Sequence, residues 1–360
     1  MYNKNMQNIC HQFLANSFNS TKTKKDDISR FQNLHLKIVP TKDLNLEKEK
    51  NIDDKFNEEN VSNLKKKQVT TICHVYQTKY NNINVTGLGD FIRGCFFTLQ
   101  FCGKHNFKCE ILINHPISIF LKNVKLHSLY PKLYNTLNFT QCNLTDTIFS
   151  KNNNIENFIL AGKTNDFVKY LCNLKIMNHT IFSYNILHPY DKITDEECDI
   201  VKTLLEPSDE MEQYINDEMT KYGIIKKQFI VIHVRSGDTY LKKETKIFNS
   251  HYFKTLTREI FNIIKYNNGN DLLLIADNNE IKYMLYKKFP RIKILYKDIT
   301  HLGEGITLEK ENVKNTMIDF YLFSNASRIF SFSVYRHGSG FSYWCSKIYN
   351  IPYTCKFIQN

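Results

Sequence analysis

Four short apolar runs dominate the second half of the chain: Phe229–Val234, Asp271–Ala276, Arg291–Tyr296 and Arg328–Ser333. Each has the length and side chains of a strand. Each is followed by a stretch with helical periodicity, at 250–266, 280–288, 311–324 and 339–349. Four strand-then-helix units in series predict an α/β fold built on a doubly wound parallel sheet.

Three of the runs end in polar clusters. In a parallel sheet these ends share one edge, the edge where open α/β folds place their ligands. The first run passes into His233, Arg235, Ser236, Gly237 and Asp238. A guanidinium at a strand end suits a diphosphate, being planar, permanently charged and able to bond in two places. The alternative is a core strand closed by a salt bridge and a turn. The second run ends in Asp277-Asn278-Asn279, where Asp277 either bonds a base or ribose or caps the next helix. The third ends in a longer segment holding Ser331, Ser333, Arg336 and His337. Its last part, Gly338-Ser339-Gly340-Phe341-Ser342, precedes a helix and has the make-up of a phosphate cradle of amides and hydroxyls.

The first half carries a weaker version of the same pattern. Strand-type runs occur at 69–76, 108–114, 158–161 and 180–184, with helical stretches at 95–103, 117–123 and 166–174. Between the first strand and its helix lies a glycine loop with Gly87 and Gly89. Asp90 is placed there as a helix cap and Arg93 in the first turn. The loop either admits a ligand to its backbone or is a tight turn. It is not the dinucleotide fingerprint, because the third glycine position is Ile92. Helical stretches between 195 and 222, broken at Glu206-Pro207, mark the boundary between halves. The expected organisation is a polar arm over 1–68 and two Rossmann-like domains over 69–200 and 201–360, to which the resemblance given below assigns the acceptor side and the nucleotide-sugar donor in that order.

Net charge narrows the ligand classes. At +12 the chain suits nucleic acid, an anionic surface or an anionic small ligand. The excess is spread along the sequence, with neither an RNA-binding aromatic motif nor zinc-finger spacing. A phosphate-bearing small molecule is expected, and no specific nucleic acid. The ten cysteines include no C-x-x-C pair, so they read as buried thiols and not as a metal site. The first twenty residues lack a leader-type apolar core, and no stretch has the length of a membrane span. A cytoplasmic location is the expectation.

Two of these motifs together resemble a known family. His233-Val-Arg235-Ser-Gly-Asp238 is similar to the H-x-R-x-G/T-D signature of the fucosyltransferase superfamily of GT-B fold. That group includes the protein O-fucosyltransferases and the α-1,2 and α-1,6 fucosyltransferases. Gly87-Leu-Gly-Asp-Phe-Ile-Arg-Gly94 resembles its first-domain glycine loop, and Asp277 and the 331–342 segment resemble its later donor-site motifs. Ser236 stands where a second Arg is often found. The resemblance spans about residues 70–355. It implies two Rossmann-like domains facing a cleft. It also implies a nucleotide-sugar donor such as GDP-fucose in the second domain, a glycan or protein acceptor, inversion, and no metal or other cofactor. Arg235 then stabilises charge growing on the β-phosphate, with His233 at the donor site. Asp238 is either the base or a support for the loop, and Glu244 is a further candidate base. The competing readings are a binding module of the same fold without turnover, and a basic nucleic-acid-associated protein.

Overall fold

The structure, a computed structural model, describes residues 71–77, 86–105, 107–122, 148–152, 155–160, 179–237, 250–298, 300–303 and 309–359. Asp238, Glu244, the 1–68 arm and the helix expected at 166–174 lie outside the described residues.

The first half contributes β1 (Thr71–Gln77), α1 (Leu88–His105), β2 (Lys108–Asn114), β3 (Ile148–Asn152), β4 (Ile155–Leu160) and β5 (His179–Ser183). Its sheet has the order β2-β1-β5-β4-β3, parallel except for β3, which runs antiparallel to β4. Two helices follow, α2 (Asp195–Leu204) and α3 (Asp209–Lys221). Thr194 and Glu197 close a reciprocal capping box on α2, and Ser208 caps α3, so the break at Glu206-Pro207 falls between two independently started helices.

The second half contributes β6 (Phe229–Arg235), α4 (Ser250–Tyr266), β7 (Asp271–Ala276), α5 (Asn279–Lys288) and β8 (Lys293–Ile294). It continues with α6 (Lys310–Asn325), β9 (Arg328–Ser333), α7 (Gly340–Ile348) and β10 (Tyr353–Phe357). The sheet is wholly parallel, in the order β10-β9-β6-β7-β8. The chain leaves β6 to one side through β7 and to the other through β9, so the strand order reverses at the β6/β9 boundary. Two α/β sheets facing one cleft is the GT-B arrangement.

Several elements depart from expectation, among them β8, β10 and the helix expected at 117–123. The strand at 291–296 shrinks to Lys293–Ile294, an edge with one neighbour. β10 was unforeseen because four of its five side chains are exposed, leaving no apolar pattern to read. The 117–123 helix is a single 3-10 turn, Pro116–Phe120, whose cap His115 accepts from Ile117 N–H.

β6 shows how the sheet is covered. Successive side chains alternate between faces. Phe229 and Val231 join an apolar cluster with α1, α3, α6 and α7. Ile230, Ile232 and Val234 join a second cluster with α4 and α5. The first cluster continues without a break into β1 and α1, so the two halves share one core. Each buried Phe or Leu adds about 1.5–3 kcal/mol. A core shared in this way resists separation of the halves.

Candidate active site

The face of β6 that carries Phe229 and Val231 continues, two residues at a time, to His233 and Arg235. On neighbouring β9 the partners are Ile329 opposite Val231, Ser331 opposite His233 and Ser333 opposite Arg235. One face of the sheet thus turns from apolar to polar toward the carboxyl ends of its two central strands. This is the point where strand order reverses, so the crevice opens beside these residues.

Arg235 is held, not loose. Its Nη1 donates to Asp277 Oδ2 at 2.8 Å, and its guanidinium lies 5.9 Å from the centre of the Tyr335 ring. The Asp277 carboxylate also accepts from Ser236 N–H at 2.9 Å, Gly237 N–H at 3.2 Å and the Ser236 hydroxyl. Asp277 therefore does not cap α5; Asn278 does, accepting from Glu280 and Ile281 N–H. The 235–237 turn bonds both oxygens of the Asp277 carboxylate, which lines the cleft in that held position. A planar guanidinium with five donors can satisfy this carboxylate and still present N–H groups elsewhere.

His233 is buried beside Arg235. Its Nδ1 lies 2.9 Å from Ser342 Oγ and 3.3 Å from Ser331 Oγ, and its ring meets Phe323 edge-on. Tyr353 joins the same network through Ser342 at 3.4 Å. Burial, reinforced by the Arg235 charge, lowers the imidazole to about 3 and keeps it neutral. Ser331 and Ser342 form this buried support and do not reach the cavity. Ser333 is also buried; its hydroxyl accepts from Tyr335 N–H and starts the turn after β9. Arg336 points away, its guanidinium 5.8 Å from the Phe357 ring, and so is removed from the donor site expected from sequence. His337 lines the cavity, stacked on Tyr335.

The turn then enters α7 through Gly338, at φ +79, a conformation that L side chains rarely adopt. Ser339, Gly340 and Phe341 all line the cavity. Ser339 makes no side-chain cap bond to α7, which leaves the first-turn amides of that helix without a side-chain acceptor from the cap.

The opposite wall comes from α1, which begins at Leu88. Gly89 and Asp90 are thus inside a helix and not in a loop before it, Arg93 lies in that helix as expected, and Asp90 pairs with Arg93 at 2.8 Å instead of capping. The apolar stripe Leu88, Phe91, Cys95, Leu99, Cys102 outweighs the helix cost of Gly89 and Gly94. Both glycines answer a close approach. A Cβ on Gly94 would fall 2.3 Å from Asn185 O, and one on Gly89 would fall 2.4 Å from the carbonyl carbon of Gly340. The first turns of α1 and α7, from opposite halves, therefore touch backbone to backbone. A Cβ on Gly87 would meet only the His301 ring, at ordinary contact distance. Arg93 Nη1 donates to His188 Nε2 at 3.3 Å. Burial, then the Arg93 charge, lowers His188.

Together these walls enclose a cleft of 1580 Å³. Sequence reasoning missed several of its charged residues, and the most buried of them is on α6. Asp319 of α6 is only 4% exposed and lines the cleft with Thr316 and Thr300. Burial pushes its carboxyl up to about 6, while Lys282 and Lys297 pull it down. Lys282 is itself buried and donates to Leu295 O, and Lys297 pairs with Glu218 at 3.1 Å. A lone acid inside Met317-Ile-Asp-Phe-Tyr-Leu-Phe323 was the available signal, because an acid in an apolar helix run demands a partner. Among the described residues no group of three His, Cys, Asp or Glu is placed to hold a metal ion, and no helix is long and apolar enough to cross a membrane.

The cleft thus offers a held guanidinium and a helix N-terminus at one end, and a buried carboxylate on the same sheet face. The first two favour a phosphate; the third favours N–H donors.

No family model and no curated protein matches the chain. Solved structures do. A mutant of Arabidopsis thaliana FUT1 in complex with GDP is 9% identical with a TM-score of 0.45, over 82% of this chain and 72% of that one. The fucosyltransferase NodZ from Bradyrhizobium is 12% identical with a TM-score of 0.45, over 77% and 91%. POFUT1 in complex with GDP is 8% identical with a TM-score of 0.45, over 80% and 98%. Each is a fold to which this chain is similar. At TM-scores below one half the likeness carries no residue's role across, and the roles proposed below come from the chain's own geometry.

Proposed function

We propose that the cleft binds a nucleotide-diphosphate sugar, with GDP-fucose the favoured donor, and that the protein transfers the sugar to a hydroxyl of a glycan or protein. One observation carries the reading: Arg235 stands at the carboxyl end of the central strand, pinned by Asp277, beside the amide-rich start of α7.

The chemistry follows from that pairing. The bond between the sugar's anomeric carbon and the β-phosphate oxygen breaks, and the electron pair stays on the phosphate. The acceptor oxygen bonds to the anomeric carbon from the opposite face, which inverts it, and its proton passes to a carboxylate. Charge grows on the β-phosphate as the bond breaks. Arg235 and the α7 amides meet it with fixed donors that need no reorganisation, an effect worth roughly 3–4 kcal/mol per donor. The reaction so arranged asks for no metal. The neutral imidazole of His233 orders the strand end through Ser342 without adding charge. Asp319 suits a base edge with adjacent N–H donors, which guanine has and uracil lacks. Asp238 keeps the two roles its position offers, base or support of the loop, and Asp90 presents a carboxylate from the other wall.

Incubation with GDP- and UDP-sugars, followed by release of free nucleotide, tests the reading. Slow hydrolysis of a GDP-sugar is expected. GDP binding without hydrolysis or transfer would mark a binding module. Failure to bind or hydrolyse any nucleotide sugar rejects the proposal.

A further inference from the structure

A carbonyl of the second half is held by a side chain of the first. His115 follows β2 and caps the 3-10 turn Pro116–Phe120, where its Nδ1 accepts from Ile117 N–H at 3.2 Å. Burial lowers its imidazole to about 4 and keeps it neutral. With Nδ1 accepting, the single ring proton belongs on Nε2, which donates to Leu302 O at 2.9 Å. The ring plane is fixed as well. It stacks on Tyr76 with centres 4.3 Å apart, and Tyr76 stacks on Phe91 at 4.5 Å. β1, α1 and the turn after β2 thus converge on one hydrogen-bond donor. His115 and Leu302 are both buried, so a Leu302 carbonyl deprived of this donor gains no bulk water in exchange.

The loop that carries Leu302 faces the cleft. Thr300, His301 and Leu302 all line it, whereas His115 does not. At its other end the loop is tied to α6, because Thr300 N–H donates to Thr316 Oγ1 at 3.1 Å. Thr316 stands one helix turn before Asp319. His301, between the two ties, lies where a Cβ on Gly87 would meet its ring at 3.4 Å. Gly87 is two residues before Gly89, whose missing Cβ admits Gly340 at the start of α7. The loop therefore leads from the Asp319 end of the cleft toward the α7 end. For a donor lying along that line these are the guanine and diphosphate ends, and His301 stands between them. Thr316 belongs to the same half as the loop and His115 does not. The place of His301 in the cleft is thus set by the first half, through a seam additional to the α1–α7 contact.

We propose that His301 binds the nucleotide between its base and its β-phosphate, and that His115 is the positioning residue that holds it there through Leu302. This role rests on the nucleotide-sugar reading of the Arg235 end. An imidazole there has an N–H to donate to a ribose or phosphate oxygen. His115 touches no substrate and acts only through the loop.

Asparagine at 115 separates the two bonds of the histidine. Its oxygen still caps Ile117, but its side chain is too short to reach Leu302. His115→Asn, His301→Ala and the double variant are compared with the wild type by GDP calorimetry and by KM and kcat for GDP-sugar hydrolysis. Leu256→Ala, in the apolar cluster of α4 and outside the cleft, is the control for lost stability alone. GDP affinity is expected to fall about tenfold in each single variant and no further in the double variant. KM should rise with kcat little changed, as when binding common to ground and transition states is removed. Without ligand, amide hydrogen exchange over 300–303, read by mass spectrometry, should quicken in His115→Asn and not in Leu256→Ala. The assignment is overturned if either single variant binds GDP like the wild type, if the two losses add, if Leu256→Ala weakens GDP equally, or if exchange over the loop is unchanged. A wild type that fails to bind GDP is a separate outcome: it rejects the donor reading and the role of His301 with it, while loop exchange still reports on the His115 bond.

Discussion

Replacing Gly89 by Ala probes the contact that sets the two walls of the cleft. The added Cβ would lie 2.4 Å from the Gly340 carbonyl carbon and 2.7 Å from both its oxygen and Phe341 N. Carbon contacts relax only near ~3.5 Å, so α1 and α7 must part by about 1 Å. All three obstructing atoms are backbone, so no rotamer change relieves them. Overpacking of this kind costs about 1–3 kcal/mol, while Ala in place of a helical Gly returns about 1 kcal/mol. The net loss of stability is therefore small, on the order of 0–2 kcal/mol. The effect on turnover is larger, because a shift of about 1 Å in a site's geometry lowers the rate roughly 100-fold. Urea unfolding and release of nucleotide from a GDP-sugar measure the two effects. Gly269→Ala is the control, since nothing lies within 4 Å of a Cβ there. A Gly89→Ala protein that is more stable than wild type and hydrolyses donor at the wild-type rate would refute the reasoning.

Three further outcomes are expected. Arg235→Lys keeps the charge but loses the planar fork, and steady-state donor hydrolysis should fall about 100-fold or more with the thermal melt little changed. His74, His115 and His233 are held neutral by burial, at about 4, 4 and 3, whereas an unfolded His titrates near 6.5. The unfolded chain therefore gains protons first, so stability present above about pH 6.5 is lost on acidification, by roughly 2 kcal/mol per residue at pH 5. Urea midpoints at the two pH values check this. Asp319 acts in the opposite sense. Its carboxyl, raised to about 6, adds stability as pH falls through that value, so Asp319→Asn should steepen the acid loss and also weaken GDP binding at neutral pH.

How much was legible in the sequence differs between the two halves. Short β-branched runs with helical stretches between them made β6, β7 and β9 readable, and the switch to His233 and Arg235 marked the edge where the cleft opens. β3 and β10 were not readable, because their partners, not their own patterns, make them strands. The start of α1 was misjudged because Gly87 and Gly89 read as a loop. Only the neighbouring backbone of Gly340 and Asn185 explains why glycine occupies a helix there. Asp277 shows the same limit for a side chain. The turn that occupies its carboxylate lies some forty residues earlier in the chain, beyond any local pattern. Arg336 was grouped with the site by position alone, and its direction toward Phe357 belongs to the tertiary structure. Asp319 was the reverse case, a charge in an apolar run whose cost was visible and whose purpose was not.

The most direct test is a crystal structure of the protein soaked with GDP. The account predicts the diphosphate between Arg235 and the first turn of α7, with the guanine edge on Asp319. GDP bound away from Arg235, or a cleft left empty at saturating GDP, would contradict it.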